Sequence, residues 1–368
     1  MGESVNRKGM VLTGIERILI MAPNWIGDAV LALPAVASVA KGFPGARIDV
    51  LARGEVADIF LGQDAVSAIR RVDRSDLRGI GLLRTASALR DEKYQAAVLF
   101  PNSFRSALLA WLARIPVRIG YGRDIRGLFL SKAVPPGPKG RRVHQSEYYL
   151  DLPRAIGISA EMSIPVLRLS EDEVDRARSF ISEHGAEHGA KHGLNASNLV
   201  GLAPGAAYGA AKKWGSDRFA EAAARLAGEF GAGVVVFGAE REREDGEAIR
   251  RRLPAALNLA GRTTVREFMA LVSLCRVLLT NDSGAMHAAV ATGVPVVAVF
   301  GPTDPGETAP LGEGHAVVRE PVECSPCFRR ECPTDHRCMT RIAVERVVEA
   351  AERVLAKERQ KEAAEVRG

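Results

Sequence analysis

Short apolar runs recur along the first third of the chain, and stretches with helical character separate them. The clearest runs are RILIMA (17–22), RIDVLA (47–52), AAVLF (96–100) and VRIGY (117–121). Continuous apolar runs of this length are typical of strands in a parallel sheet that helices cover on both faces. The pattern therefore predicts a parallel α/β domain in this part of the chain.

A second alternating series begins near residue 198. Its clearest strands are NLVGLAP (198–204), GVVVFGA (233–239), CRVLLTN (275–281) and VPVVAVFGP (294–302). We therefore predict an α/β fold with two Rossmann-like domains. They occupy residues 1–170 and 198–340, with a linker at 171–197 and a C-terminal helix within 341–368 that could cross back to the first domain.

The linker contains the low-complexity stretch EHGAEHGAKHGLNASN (183–198). His184, His188 and His192 recur every fourth residue, so a helix would place them on one face as possible metal ligands. The adjacent glycines disfavour a helix, and we therefore expect a solvated linker.

The composition is that of a globular protein: 47% of the 368 residues are hydrophobic and 26% are charged. No apolar run is long enough for a transmembrane helix, and the first 14 residues lack the apolar core of a signal peptide. We expect a cytoplasmic protein.

The net charge is +6, and basic residues concentrate between residues 101 and 145, where Asp124 alone opposes nine lysines and arginines. This region is either a solvated face or a site for an anionic partner. Aromatic residues make up 5% of the chain, which argues against a stacking platform for nucleic acid.

The common phosphate-binding signatures G-x-G-x-x-G and G-x-x-x-x-G-K-[ST] are absent from the sequence at the strand ends. Three other strand-to-helix junctions carry polar residues, and ligands of open parallel sheets bind beyond the carboxyl ends of the strands. In the first junction, MAPNWIGDAVLALP (21–34), Asp28 is either a helix cap or a carboxylate that accepts a proton. Residue type alone favours the cap.

The second junction, LAPGAAYGAAKKWGSDRF (202–219), has a loop of small residues before Lys212 and Lys213. It is either a phosphate site or an exposed loop with solvated lysines. In the third, NDSGAMHAAV (281–290), Ser283 and Gly284 should begin a helix whose amides favour an anion, and His287 lies one turn further on. The alternative is a capped helix with a buried histidine.

Together, PNWIGDAVLALPAV (23–36), PGAAYGAAKKW (204–214) and NDSGAMHAAVATGVPVVAVFGPTDP (281–305) resemble glycosyltransferase family 9, the lipopolysaccharide heptosyltransferases, and most nearly the heptosyltransferase II type. The resemblance spans residues 17 to 350. It implies the GT-B architecture, in which two Rossmann-like domains face each other across a cleft. The expected reaction inverts the anomeric centre and requires no cofactor.

The resemblance also implies partners and roles. The partners are an ADP-heptose donor and a lipid A–inner core acceptor, with peripheral contact at the cytoplasmic face of the inner membrane and no nucleic acid. Asp28 would be the general base and Lys212 the cation on the departing diphosphate. The other residues expected to bind the nucleotide sugar are Gly205, Asp282, Ser283, Gly284 and His287, with Glu240 or Glu242 on the ribose. Those expected to bind the acceptor are Asn24, Arg105, Arg123 and Arg126.

Two alternatives remain open on the sequence: a nucleotide-sugar epimerase of the same architecture, and a non-catalytic nucleotide-binding module. An epimerase would act without a lipid acceptor, so the basic N-terminal region favours the transferase. The presence of Asp28 and Lys212 in matching motifs argues against a module without turnover.

Four cysteines lie close together near the C-terminus, at Cys324, Cys327, Cys332 and Cys338. Four cysteines at this spacing can hold a structural metal, either zinc or an iron–sulfur cluster, with His336 nearby. The alternatives are a reduced loop without a ligand or a disulfide. Cys275 is expected to pack in the core.

Overall fold

The apolar runs form the central strands of two separate parallel sheets, each with six strands. The structure is a computed structural model and describes residues 14–136, 143–187 and 194–365. The chain divides into two compact units, residues 1–168 (unit 1) and 169–368 (unit 2).

The strands of unit 1 are β1 (Arg17–Met21), β2 (Arg47–Arg53), β3 (Ala68–Val72), β4 (Ala96–Leu99), β5 (Val117–Tyr121) and β6 (Lys132–Val134). Its helices are α1 (Ile26–Gly42), α2 (Gly79–Asp91), α3 (Phe104–Leu112) and α4 (Gln145–Arg154), with 3-10 turns at Gly54–Phe60 and Asp124–Phe129. The strand order is β3-β2-β1-β4-β5-β6.

From β1 to β3 the chain adds strands towards one edge of the sheet, and from β4 to β6 it adds them towards the other edge. Because the connections are right-handed crossovers, this change of direction places α1 on one face of the sheet and α2 and α3 on the other. The packing agrees with this arrangement. Leu82, Ala86 and Leu89 of α2 share a buried cluster with Leu19 and Met21 of β1, and α3 contributes to the same cluster.

One carboxylate is completely buried in this unit. Asp49 of β2 accepts hydrogen bonds from Tyr94 at 2.6 Å, from Arg47 at 2.9 Å and from Arg70 at 3.3 Å. Burial opposes ionisation, but these hydrogen bonds and the two guanidinium charges outweigh it, so the pKa of Asp49 lies below its usual value.

The strands of unit 2 are β7 (Leu199–Ala203), β8 (Gly233–Val236), β9 (Leu257–Asn258), β10 (Cys275–Asn281), β11 (Val296–Phe300) and β12 (Ala316–Arg319). Its helices are α5 (Glu171–Glu187), α6 (Ser216–Phe230), α7 (Arg243–Arg252), α8 (Val265–Val272), α9 (Gly284–Ala291), α10 (Pro305–Thr308), α11 (Arg337–Thr340) and α12 (Val344–Glu365). The strand order is β12-β11-β10-β7-β8-β9.

The C-terminal helix packs on the sheet of unit 2. Val347, Ala351 and Leu355 of α12 follow helical spacing and lie in the same core cluster as β10 and β11. Trp214 is fully buried beside them and donates its indole N–H to the carbonyl of Ile342 at 3.0 Å. The helix predicted within 341–368 therefore completes the core of unit 2.

Most of the predicted linker is also part of unit 2. Residues 171–187 form α5, and Ala177 and Ile181 are buried in the second core cluster. His184 stacks on Phe180 with ring centroids 4.1 Å apart, so its ring has a packing role. His188 and His192 lie outside the described residues. In the part of the chain that is described, no helix is long and apolar enough to cross a membrane.

An ion pair fixes the start of α5. Both carboxylate oxygens of Glu173 accept hydrogen bonds from Arg266 of α8, at 2.7 and 2.5 Å. The Arg266 hydrogen bonds, with smaller contributions from the Ser170 backbone N–H and from the Arg266 charge, outweigh burial and lower the pKa of Glu173 from 4.5 to about 2. The contribution of the Glu173 carboxylate to folding stability is therefore complete above the pKa that Glu173 has in the unfolded chain, and it is lost as pH falls towards 2.

We predict that Glu173→Gln lowers the free energy of unfolding by about 2 kcal/mol at neutral pH, and that the difference from the wild type shrinks as pH falls below about 4.5. Denaturant unfolding at several pH values measures both effects. Glu183→Gln, on an exposed position of the same helix, is the matched control and should change neither. An equal loss in both variants would show that the ion pair does not anchor α5.

Candidate functional sites at the carboxyl ends of the two sheets

The loop after β7, residues 204–214 (the lysine loop), is tied to the end of β10 by one amide side chain. Asn281 donates to the carbonyls of Pro204 at 2.7 Å and Gly205 at 3.3 Å. Its amide oxygen accepts from the backbone N–H of Trp214 at 3.1 Å. Asn281 is completely buried, so both ends of the lysine loop are held at the carboxyl edge of the sheet.

Lys212 and Asp282 form a buried ion pair at this edge. The Lys212 Nζ lies 2.5 Å from Asp282 Oδ2, and the two side chains are 11% and 4% exposed. Thr303 donates to the same oxygen at 2.7 Å, and Thr308 donates to Oδ1 at 3.1 Å. Asp282 is therefore surrounded by protein donors, and its position fixes the lysine cation.

Residues 320–340, which we call the cysteine segment, contact the lysine loop and support Lys212. The Lys212 Nζ and the Arg330 guanidinium lie 4.9 and 5.4 Å from the ring centroid of Tyr208. The Tyr208 hydroxyl donates to the Phe328 carbonyl at 2.6 Å, and His336 Nε2 lies 2.6 Å from the Ala211 carbonyl. The cysteine segment thus holds the lysine loop along its length.

The helix predicted after Asp282 is present. Ser283 is its N-cap residue and α9 begins at Gly284. The Ser283 hydroxyl lies 3.2 Å from that of Thr280, and His287 is buried one turn into the helix. Because the first turn of a helix presents N–H groups without helical partners, this end of α9 favours an anion next to Lys212.

Glu240 and Glu242, which the sequence left as alternative ribose ligands, differ in their contacts. The Glu242 carboxylate accepts from the backbone N–H of Ala239 at 2.8 Å and lies against Gly205. A Cβ at Gly205 would lie 2.2 Å from that carboxyl group, so a larger residue here would displace the Glu242 side chain. Glu240 is more exposed and pairs weakly with Arg243 at 3.6 Å. Its carboxylate is therefore the more available of the two.

In unit 1, Asp28 is not a helix cap. The N-cap of α1 is Trp25, which places Asp28 within the first turn. Tyr149 of α4 is 4% exposed and hydrogen bonds to Asp28 through its hydroxyl. Burial, with a smaller contribution from the Asp28 charge, raises the pKa of Tyr149 well above its usual value. The hydroxyl therefore remains a hydrogen-bond donor to the carboxylate.

The residues predicted to bind an acceptor follow three neighbouring strands of unit 1. Asn24, after β1, accepts from Arg53 at 3.0 Å. Arg105 and Arg123 are exposed near the ends of β4 and β5. Arg126 is only 1% exposed; it donates to Asn102 at 3.2 Å, while its Nε and Nη2 have no hydrogen-bond partner within the described ranges.

Burial lowers the pKa of Arg126 from its usual value. A guanidinium in such surroundings favours an anionic partner, because an uncompensated buried charge is costly. Arg126 was predicted as one of the acceptor-binding residues of the basic region, and its burial could not be seen in the sequence.

Comparison with known proteins identifies the family. The model of "Glycosyltransferase family 9 (heptosyltransferase)" matches residues 82–337. The chain belongs to glycosyltransferase family 9. The protein is therefore a glycosyltransferase, and the epimerase alternative is disfavoured. The two parallel six-stranded sheets also confirm the predicted α/β, GT-B-type fold class.

Several relatives support this membership. Lipopolysaccharide heptosyltransferase 2 of Salmonella typhimurium is 30% identical, over 82% of this chain and 88% of that protein. Lipooligosaccharide heptosyltransferase 2 of Haemophilus influenzae is 29% identical over the same shares of the two chains. The solved structure of E. coli ADP-heptose LPS heptosyltransferase II has a TM-score of 0.79 at 28% identity, and the match covers 93% of this chain and 99% of that one.

The cysteine segment of this family 9 protein does not support the predicted metal site. No three His, Cys, Asp or Glu side chains of the described residues are placed to hold a metal ion, and all five cysteines are free thiols. Cys324 and Cys327 are exposed, whereas Cys338 is buried, near Gly301. Burial, with the nearby thiols, raises the pKa of Cys338 to about 11.

Sequence reasoning missed the residues that position Lys212. Thr303 and Thr308 lie 21 and 26 residues from Asp282, and Tyr208 and Arg330 lie in loops 122 residues apart. Tyr208 and Thr303 lie within the motifs that resemble the family, and their place in those motifs was the one sequence signal that could have identified them.

We predict that Tyr149→Phe lowers kcat of glycosyl transfer about tenfold and leaves KM for both substrates nearly unchanged, because the Asp28 carboxylate loses a hydrogen bond that orients it. Steady-state kinetics measure the split. Tyr94→Phe removes a buried tyrosine–aspartate hydrogen bond of the same kind, at Asp49. This control should keep wild-type kcat, and equal kcat values for the two variants would contradict an orienting role for Tyr149.

Proposed function

We propose that the protein transfers heptose from an ADP-activated donor to the inner core of lipopolysaccharide, as a heptosyltransferase of type II. The relatives above carry that activity in their names. The observation that supports it most is the buried Lys212–Asp282 pair immediately before α9. It provides a fixed cation and a helix N-terminus together, which suits a diphosphate.

On the nucleotide side, Lys212 and the first turn of α9 stabilise the negative charge that grows on ADP as the glycosidic bond breaks. In this proposal they supply the charge that a divalent cation supplies in many other transferases, so no metal is required. Gly205 permits close approach of the backbone, and His287 lies one turn into α9. Glu240 is the proposed ligand of the ribose hydroxyls, because its carboxylate is the more exposed one.

On the acceptor side, Asp28 is the proposed general base. The acceptor hydroxyl oxygen attacks the anomeric carbon, its proton passes to the Asp28 carboxylate, and ADP leaves with the bonding electron pair. Attack opposite to the leaving group inverts the anomeric centre. Tyr149 keeps the carboxylate oriented during this step.

The anionic groups of the inner core would bind at the basic end of the unit 1 sheet. Arg126 has two buried guanidinium nitrogens without a hydrogen-bond partner among the described residues. Arg105 and Arg123 are exposed near it in sequence, and Asn24 follows the neighbouring strand. An acceptor of this kind is anchored in lipid. We therefore propose that the protein works in the cytoplasm, in peripheral contact with the inner membrane.

The direct test is incubation with ADP-heptose and a heptose-bearing inner-core acceptor, followed by mass measurement of the product. A mass increase of one heptose is expected only when both substrates are present. Release of ADP without a heavier acceptor, or transfer only from another nucleotide sugar, would contradict the proposal.

The base assignment predicts that Asp28→Asn lowers kcat by about a thousandfold while ADP affinity stays unchanged, because the variant cannot accept the proton. Product mass and calorimetric titration measure the two quantities. Asp64→Asn, at an exposed carboxylate of the same unit, is the control and should transfer normally. Near wild-type transfer by Asp28→Asn would exclude Asp28 as the base.

Two neighbouring lysines provide a second test. Lys212→Met should weaken ADP binding and lower kcat, each by about tenfold or more, since a charge-assisted contact to the diphosphate is lost. Lys213→Met is the matched control, because Lys213 pairs with Asp245 at 2.6 Å on a neighbouring helix. Equal effects of the two substitutions would show that the loop as a whole, and not Lys212, binds the nucleotide.

A further inference from the structure

Exposed apolar side chains are distributed unevenly between the two units. Of thirteen large apolar side chains exposed within the described ranges, eleven belong to unit 1. Charge follows the same division. Unit 1 has 24 basic and 15 acidic residues, whereas unit 2 has 26 and 29. Unit 1 therefore combines a net positive charge with apolar groups on its surface.

Six of these eleven side chains belong to three consecutive elements. α2, α3 and the Asp124–Phe129 turn are the successive connections from β3 to β6, and right-handed crossovers place them side by side on one face of the sheet. Their exposed apolar residues are Ile80, Leu83, Phe104, Trp111, Ile125 and Leu128. We call these residues and the arginines among them the α2–α3 surface.

Contacts among the three elements show that the surface is continuous. Arg90 of α2 donates to the Leu112 carbonyl of α3 at 2.8 Å. The Phe129 ring makes edge contacts with Phe104 and Trp111, with centroids 5.2 and 5.5 Å apart. Leu128, next to Phe129, is 82% exposed. The Leu128 side chain therefore projects into solvent next to the aromatic cluster of Phe104, Trp111 and Phe129.

Exposed arginines flank the apolar side chains. In and next to the three elements they are Arg78, Arg84, Arg90, Arg105, Arg114 and Arg123. Exposed carboxylates in the same stretch are Asp91 and Asp124. Helical spacing places Arg84 beside Ile80, and Arg114 follows the C-cap of α3, just beyond the helix that carries Trp111. Two copies of the chain joined face to face would bring like charges together, so self-association is disfavoured.

We propose that the α2–α3 surface docks on an anionic phospholipid bilayer. Tryptophan, phenylalanine and leucine enter the boundary between headgroups and acyl chains, and arginines bind the lipid phosphates. The idea extends the proposed function, since a lipid-anchored acceptor requires an enzyme that works at a membrane. The proposed function supplies the biological reason for docking, whereas the evidence for the docking surface is independent of it.

The test is co-sedimentation of the full-length protein with vesicles of phosphatidylcholine, alone or mixed with phosphatidylglycerol, without either substrate. The wild type should bind the mixed vesicles, and less so at high salt. Leu128→Glu should lower the partition coefficient about tenfold, because a charged side chain replaces an inserted apolar one. Val166→Glu, at an exposed position of unit 1 outside this surface, should bind as the wild type does.

Arg84→Glu with Arg114→Glu tests the electrostatic part and should reduce both binding and its salt dependence. Three results would overturn the proposal: no binding of the wild type to anionic vesicles, equal binding of Leu128→Glu and Val166→Glu, or loss of a dimer in Leu128→Glu with vesicle binding unchanged. Heptosyl transfer by Leu128→Glu to an acceptor without acyl chains should remain normal. That assay fails only if the proposed function is wrong, so the two failures are distinguishable.

Discussion

The ion pair between Lys212 and Asp282 is the interaction on which the proposed nucleotide site depends. A buried ammonium is stable only when its charge is matched, and Asp282 matches it from the end of a central strand. The threonine hydroxyls around the carboxylate prevent it from turning away. The lysine cation is therefore held in place by the protein itself, as its proposed electrostatic role at the diphosphate requires.

The need to hold Lys212 beside Asp282 explains why loops that are distant in sequence meet at the end of β10. Asn281 closes the lysine loop on the strand edge, and the cysteine segment supports the loop from outside through Tyr208 and His336. Unit 1 follows a similar plan on a smaller scale, since Tyr149 orients Asp28 at the start of α1. In both units a charged group lies beyond the carboxyl ends of parallel strands and depends on a partner elsewhere in the chain.

The central strands and the fold class were predictable from sequence, because apolar runs buried on both sides have a clear pattern. The edge strands were not. In β3, two arginines interrupt the pattern, and Arg70 is accommodated by contacts with Asp49, Tyr94 and Glu92. α5 extends past Gly185 because its apolar residues pack in a core, which outweighs the local cost of glycine. The cysteine spacing suggested a metal, yet spacing does not determine whether neighbouring thiols adopt the geometry of a metal site.

The central claim is that a lysine held by the protein replaces a metal ion at the diphosphate. The most direct measurement is the rate of heptosyl transfer, together with ADP affinity, in chelator and in excess magnesium. The account predicts the same rate and affinity in both conditions. Loss of transfer in chelator that magnesium restores would contradict it.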